Sequence, residues 1–130
     1  MSQTLVISQQ YEQYAPDNKT IVCAGLSESD IVHKMTNQLR SFREECYDND
    51  FEEMKSEMWE NHIKIMINMY QHGSDDKLGY VGENENDENQ WFKFTEKTGD
   101  IYSQYTLTMN QAPNTQKWAT LSFVVISNGL

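Results

Sequence analysis

The chain has 130 residues, 38% of them hydrophobic and 12% aromatic, enough for one domain whose single core needs neither a disulfide framework nor a metal. Ten basic residues against twenty acidic ones give a formal net charge of −10, which disfavours direct contact with nucleic acid or anionic membranes and favours basic protein surfaces. The two cysteines, Cys23 and Cys46, are far apart and read as free thiols of a reducing compartment, while no leader pattern and no apolar run near the ~18 residues of a membrane span is visible, so a cytoplasmic protein is expected.

In chain order, Thr4–Ile7 and Thr20–Cys23 are short apolar runs separated by a polar stretch with the turn residues Ala15 to Asn18. They are expected to form a hairpin or to attach at the edge of a sheet, with residues 1–10 as a mobile tail in the alternative. Ser27 to Tyr47 has the marks of a helix. Ser27 and Asp30 form a capping box with the shorter acid, and Ile31, Met35, Leu39, Phe42 and Cys46 recur at helical spacing as one apolar stripe. Cys46 on that stripe reads as a small core residue, and His33, off it, as a solvated imidazole.

Asp48-Asn49-Asp50 interrupts this helix and can cap a second, with Asp50 as the cap and Glu53 at its third position. Phe51, Met54, Met58 and Trp59 would form its buried side, and Glu52, Glu53, Glu57 and Glu60 its solvated one. From Ile63 to Gln71 the isoleucines alternate, which predicts a strand. A continuous helix through Tyr70 fits the same residues, because short apolar runs satisfy both periods. His72 to Asp76 is turn-like, and Leu78–Val81 reads as a short strand between two glycines.

Glu83 to Gln90 contains no apolar residue and predicts an exposed acidic loop. Trp91–Thr95 is strand-like, Glu96 to Asp100 has turn composition, and Ile101 to Met109 alternates as a strand should. Asn110 to Thr115 turns the chain into Trp118–Ile126, the most apolar run. Ala119, Leu121, Phe123 and Val125 fall on one face of that run and Trp118, Val124 and Ile126 on the other, which predicts a central strand buried on both sides. The expected fold is α+β: two consecutive helices packed on one face of a mostly antiparallel sheet of about four to six strands, with the C-terminal strand central.

The charge is unevenly placed. Between Glu44 and Glu88 there are fourteen acids and three lysines, a local balance of −11, too few bases for the alternating pattern of surface salt bridges. No catalytic signature accompanies it. His62 and His72 would stand ~30 Å apart along one strand, and calcium-loop spacing, zinc spacing, phosphate-cradling glycines and an activated cysteine are all missing from the sequence. No metal, no cofactor and no enzymatic activity is expected. The strand aromatics, such as Trp91, Phe92 and Tyr105, lack the flanking Lys and Arg that base-stacking surfaces need and read as core.

Two functions from different classes fit. One is an acidic inhibitor that docks into the basic, nucleic-acid-binding cleft of a partner, such as a nuclease or a nucleic-acid-guided effector. It would act as toxin immunity proteins and phage anti-defence proteins do, by mimicking nucleic acid, with Asp50, Glu53, Glu57, Glu60, Glu83, Glu85, Asp87 and Glu88 pairing with Arg and Lys of the target. The other is an adaptor that forms a homodimer or binds peptides through a free strand edge. The order helix, helix, then antiparallel strands ending in an apolar strand resembles that of the Tctex-type dynein light chains, in element order only.

Overall fold

The computed structural model describes residues 2–11, 19–46, 56–73, 81–84, 87–110 and 118–127. Strands β1 (Gln3–Tyr11) and β2 (Lys19–Leu26) come first, then helices α1 (Glu28–Cys46) and α2 (Ser56–His72). Strands β3 (Val81–Asn84), β4 (Asp87–Thr98), β5 (Tyr102–Asn110) and β6 (Trp118–Ser127) follow. The strands form one sheet in the order β2-β1-β6-β5-β4-β3, with every neighbouring pair antiparallel. The expected α+β architecture with a central C-terminal strand is therefore the observed one.

β6 holds its place by pairing along its length with β1 on one side, from Gln3–Ser127 to Tyr11–Ala119, and with β5 on the other, from Tyr102–Ile126 to Asn110–Trp118. The N-terminal residues are accordingly neither a tail nor an edge: β1 lies between β2 and β6, and β2 is the edge. Leu5 and Ile7 alternate inward on β1 and supply the apolar anchor that fixes it.

Both helices cover the same face of the sheet. Ile31, Met35, Leu39 and Phe42 of α1 are fully buried, the stripe that the spacing predicts. They pack with Trp59, Ile63, Met66 and Met69 of α2 against Phe92, Phe94, Leu107, Leu121 and Phe123 of the sheet. Each such side chain contributes about 1.5–3 kcal/mol by leaving water. The start of α1 is set by local chemistry: Asp30 N–H donates to Ser27 Oγ and Ser27 N–H to Asp30 Oδ2, both at 3.1 Å. These bonds hold the Asp30 carboxyl below its usual pKa. Gly25, at φ +71°, turns the end of β2 toward this cap, and Gly73, at φ +74°, ends α2 while its N–H still reaches Met69 O at 2.8 Å.

Three local expectations are corrected. Residues 63–71 continue helix α2 and are not a strand. Trp59, His62, Ile63, Met66 and Met69 are buried while Lys64, Asn68 and Gln71 are exposed, a period near 3.6 that the alternating isoleucines mask, Ile65 and Ile67 being only half-buried on the flanks of the stripe. The stretch predicted as an acidic loop supplies strand instead: Glu83 lies in β3 opposite Trp91, and Asn84 pairs with Asp87 at the head of β4. An edge hairpin needs no apolar residues, since its ladder is made by the backbone. Lastly, β6 is buried on one face only. Thr120, Ser122, Val124 and Ile126 are half-buried, shielded by cross-strand neighbours such as Val6–Val124 and Tyr102–Ile126, with no second layer among the described residues. Gln104 Nε2 donates to Ser122 Oγ at 3.0 Å in the middle of this uncovered face.

Tyr47, the side chains of Glu45 and Cys46, the cap at Asp50 with Phe51 and Met54, and Leu78 to Tyr80 of the expected short strand lie outside the described residues or side chains.

Candidate functional site

The packing of α2 brings together three elements that carry acidic positions. Its first turn meets the last turns of α1, with the Trp59 and Phe42 rings 6.2 Å apart and the Trp59 indole N–H donating to Leu39 O at 2.9 Å. The same indole lies 5.6 Å from the ring of Phe92 on β4, and Phe92 is paired with Gly82 of β3. The end of α1, the start of α2 and the β3–β4 hairpin thus adjoin at one end of the molecule. Glu44, Glu57 and Glu60 belong to the two helix ends, and Glu83, Asp87 and Glu88 to the hairpin.

Of the eight positions proposed for partner binding, Asp50, Glu53 and Glu85 lie outside the described residues. Glu83, Asp87 and Glu88 are placed by backbone and register, flanking the β3–β4 turn at the sheet edge. Glu57 is exposed in the first turn of α2, where a carboxylate complements the helix dipole. Glu60 accepts a hydrogen bond from Arg40 Nη2 at 2.8 Å, which raises the guanidinium pKa further. With both side chains about half exposed, this ion pair adds little stability. The helical layer is not uniformly negative, since Lys34, Arg40, Arg43 and Lys64 lie on it.

His62 has a different role from the one its neighbours in sequence imply. The helical path shortens its separation from His72 to ~15 Å at 1.5 Å per residue, and turns them to different surroundings, His62 buried and His72 exposed. The His62 ring lies 4.6 Å from Phe92, 5.4 Å from Phe94 and 5.6 Å from Trp59. Burial in this aromatic setting pushes its pKa down to about 4, so it is a neutral core residue at physiological pH. Among the described residues no three His, Cys, Asp or Glu side chains group so as to hold a metal ion.

At the opposite end, Tyr70 Oη donates to Gln3 Oε1 at 2.8 Å and its ring meets that of Tyr105 edge-on at 6.0 Å. Burial, with Glu28 and Tyr105 nearby, pushes the Tyr70 phenol up to about 12, and burial raises Tyr105 as well. Both remain protonated at neutral pH and tie the end of α2 to β1 and β5. Sequence reasoning missed this pair because it assigned Tyr70 to a strand. Helical spacing from Trp59 through Ile63 and Met66 to Tyr70 is the signal that would have found it.

Among the described residues the arrangement defines a class by architecture: an antiparallel six-stranded sheet with two helices on one face. No protein-family model, no curated protein and no solved structure matches the chain. Among the described residues no helix is long and apolar enough to cross a membrane.

Proposed function

We propose that the chain is a non-enzymatic acidic binding protein that covers a basic, nucleic-acid-binding surface of a protein partner, as inhibitors of the immunity or anti-defence kind do. The observation that supports this reading is the adjacency of the two helix ends to the β3–β4 hairpin, which brings Glu44, Glu57, Glu60, Glu83, Asp87 and Glu88 to one end of the fold. Carboxylates so placed steer toward a cationic cleft over distances of about a Debye length and then pair with its Arg and Lys. The test is capture of partners by the immobilised chain from cell extract, eluted with a salt gradient. Retention should fall steeply as salt rises, and reversing Glu57, Glu83, Asp87 and Glu88 to Lys should abolish it. Equal retention by that variant, or elution indifferent to salt, would count against the reading.

A second reading, an adaptor that pairs through a strand edge, is favoured by one observation. Among the described residues β2 is paired on one side only, and Val22 on it is 65% exposed. Main-chain pairing there would be nearly indifferent to salt.

A further inference from the structure

The two edges of the sheet are finished differently. The β3 edge is four residues long, carries Glu83, and leads directly to Asp87 and Glu88, all of which discourage another strand from adding to it. The β2 edge lacks such protection. From Thr20 to Leu26 it has no charge and no proline, and Ile21 and Val22, 37% and 65% exposed, are two of the three large hydrophobic residues found exposed among the described residues. Lys19 to Cys23 runs in unbroken register with Gln9 to Leu5, and the irregularity opposite Gln3 falls beyond it. Those five residues form a regular ladder whose alternate N–H and C=O groups point away from β1.

We infer that this edge joins a second copy of the same chain, β2 against β2 in antiparallel fashion, to make one continuous twelve-stranded sheet. The inference rests on the edge reading of the preceding section and commits it to self-association. The pairing is self-complementary. Centred on Ile21, it sets Ile21 opposite the second copy's Ile21, Thr20 opposite its Val22 and Lys19 opposite its Cys23, so each row joins residues of one face and no like charges meet directly. Charge selects this edge and this occupant. The acidic β3–β4 hairpin is five strand spacings from β2, ~24 Å, so the two hairpins of the dimer stand about 50 Å apart, many times the ~8 Å screening length. Pairing through β3 would instead press two acidic hairpins together. An interface of five-residue strands is small, and the dimer is accordingly of the weak, reversible kind.

Sedimentation equilibrium of the full chain across a concentration series tests this. Wild type should pass from 15.2 kDa toward about twice that mass at high micromolar concentration, with no loss of dimer as salt is raised, because salt screens the repulsion between two acidic copies. The double variant Thr20→Lys, Val22→Lys replaces exposed side chains and puts ammonium groups opposite one another across the ladder. It should remain monomeric with an unchanged circular dichroism spectrum. Amide exchange supplies a readout on wild type alone, since the alternate amides of Lys19 to Cys23 that point away from β1 should gain protection as concentration rises. A wild type that stays monomeric throughout, a dimer untouched by the double variant, or protection of β2 amides that ignores concentration overturns the inference. A monomer that captures an extended peptide through Val22 also overturns it, while leaving the broader edge reading standing.

Discussion

Acid should unfold this protein partly through one imidazole. His62 is 2% exposed and packed between Trp59, Phe92 and Phe94, and its pKa falls from 6.5 to about 4. The folded state therefore resists a proton that the unfolded chain accepts readily below pH 6.5. The stability that neutral His62 confers is complete above that pH, declines as pH falls from 6.5 toward 4, and is fully lost below. A depression of this size corresponds to about 3 kcal/mol at 1.36 kcal/mol per unit, of which about 2 kcal/mol disappears between pH 7 and pH 5. That is a large share of the ~5–15 kcal/mol typical of a domain. Urea unfolding followed by tryptophan fluorescence at several pH values measures it, with His62→Phe as the reference that keeps a ring in the site but cannot titrate. Absolute stability of the variant is immaterial; the difference in pH slope is the readout. Parallel slopes for wild type and variant, or an imidazole seen by NMR to titrate near 6.5, would refute the reasoning.

Other substitutions should report on separate parts of the fold. Phe123→Ala, fully buried on the central strand, should cost about 3–5 kcal/mol in denaturant unfolding. Trp59→Phe removes the 2.9 Å bond to Leu39 O and part of the packing between the helices, and should cost about 2 kcal/mol. Ser27→Ala removes the Oγ that accepts from Asp30 N–H, while the Ser27 N–H can still donate to Asp30 Oδ2, and should lower Tm by about 5 °C. Asp30 should still titrate below its ordinary value by NMR, because the Ser27 backbone N–H, the larger of the two Ser27 contributions, remains. Gly25→Ala meets no atom within 4 Å but forces φ +71° on a residue with a Cβ, and calorimetry should show a loss of about 1 kcal/mol.

How much of this was legible in the sequence depended on whether one period explained a segment. Ile31, Met35, Leu39 and Phe42 fit only a helix, and the structure buries all four. Ile63 to Met69 satisfies two periods at once, and the choice was settled by Trp59 and His62, which lie outside that window and share a face only in a helix. The β3–β4 hairpin was illegible because backbone pairing at an edge leaves no mark in a run of Glu, Asn and Asp. Charge clustering was plain in the sequence, but the adjacency of the helix ends to the β3–β4 hairpin was not, since Glu83 to Gln90 read as a loop has no register to place it. The uncovered face escaped notice for a related reason. Val124 and Ile126 look like core, whereas contacts along the sheet suffice to half-bury them.

The sheet order has a consequence for how the molecule assembles. β6, the strand that joins the β1–β2 hairpin to the β3–β4–β5 meander, follows both of them in the sequence. During synthesis the N-terminal hairpin emerges first and must wait, with Leu5 and Ile7 lacking their final neighbours, until translation has passed Trp118. Closure then depends on contacts more than a hundred residues apart, such as Val6 with Val124. Folding should be slow for a chain of this length, and an interrupted translation product would hold two halves with nothing to zip them together.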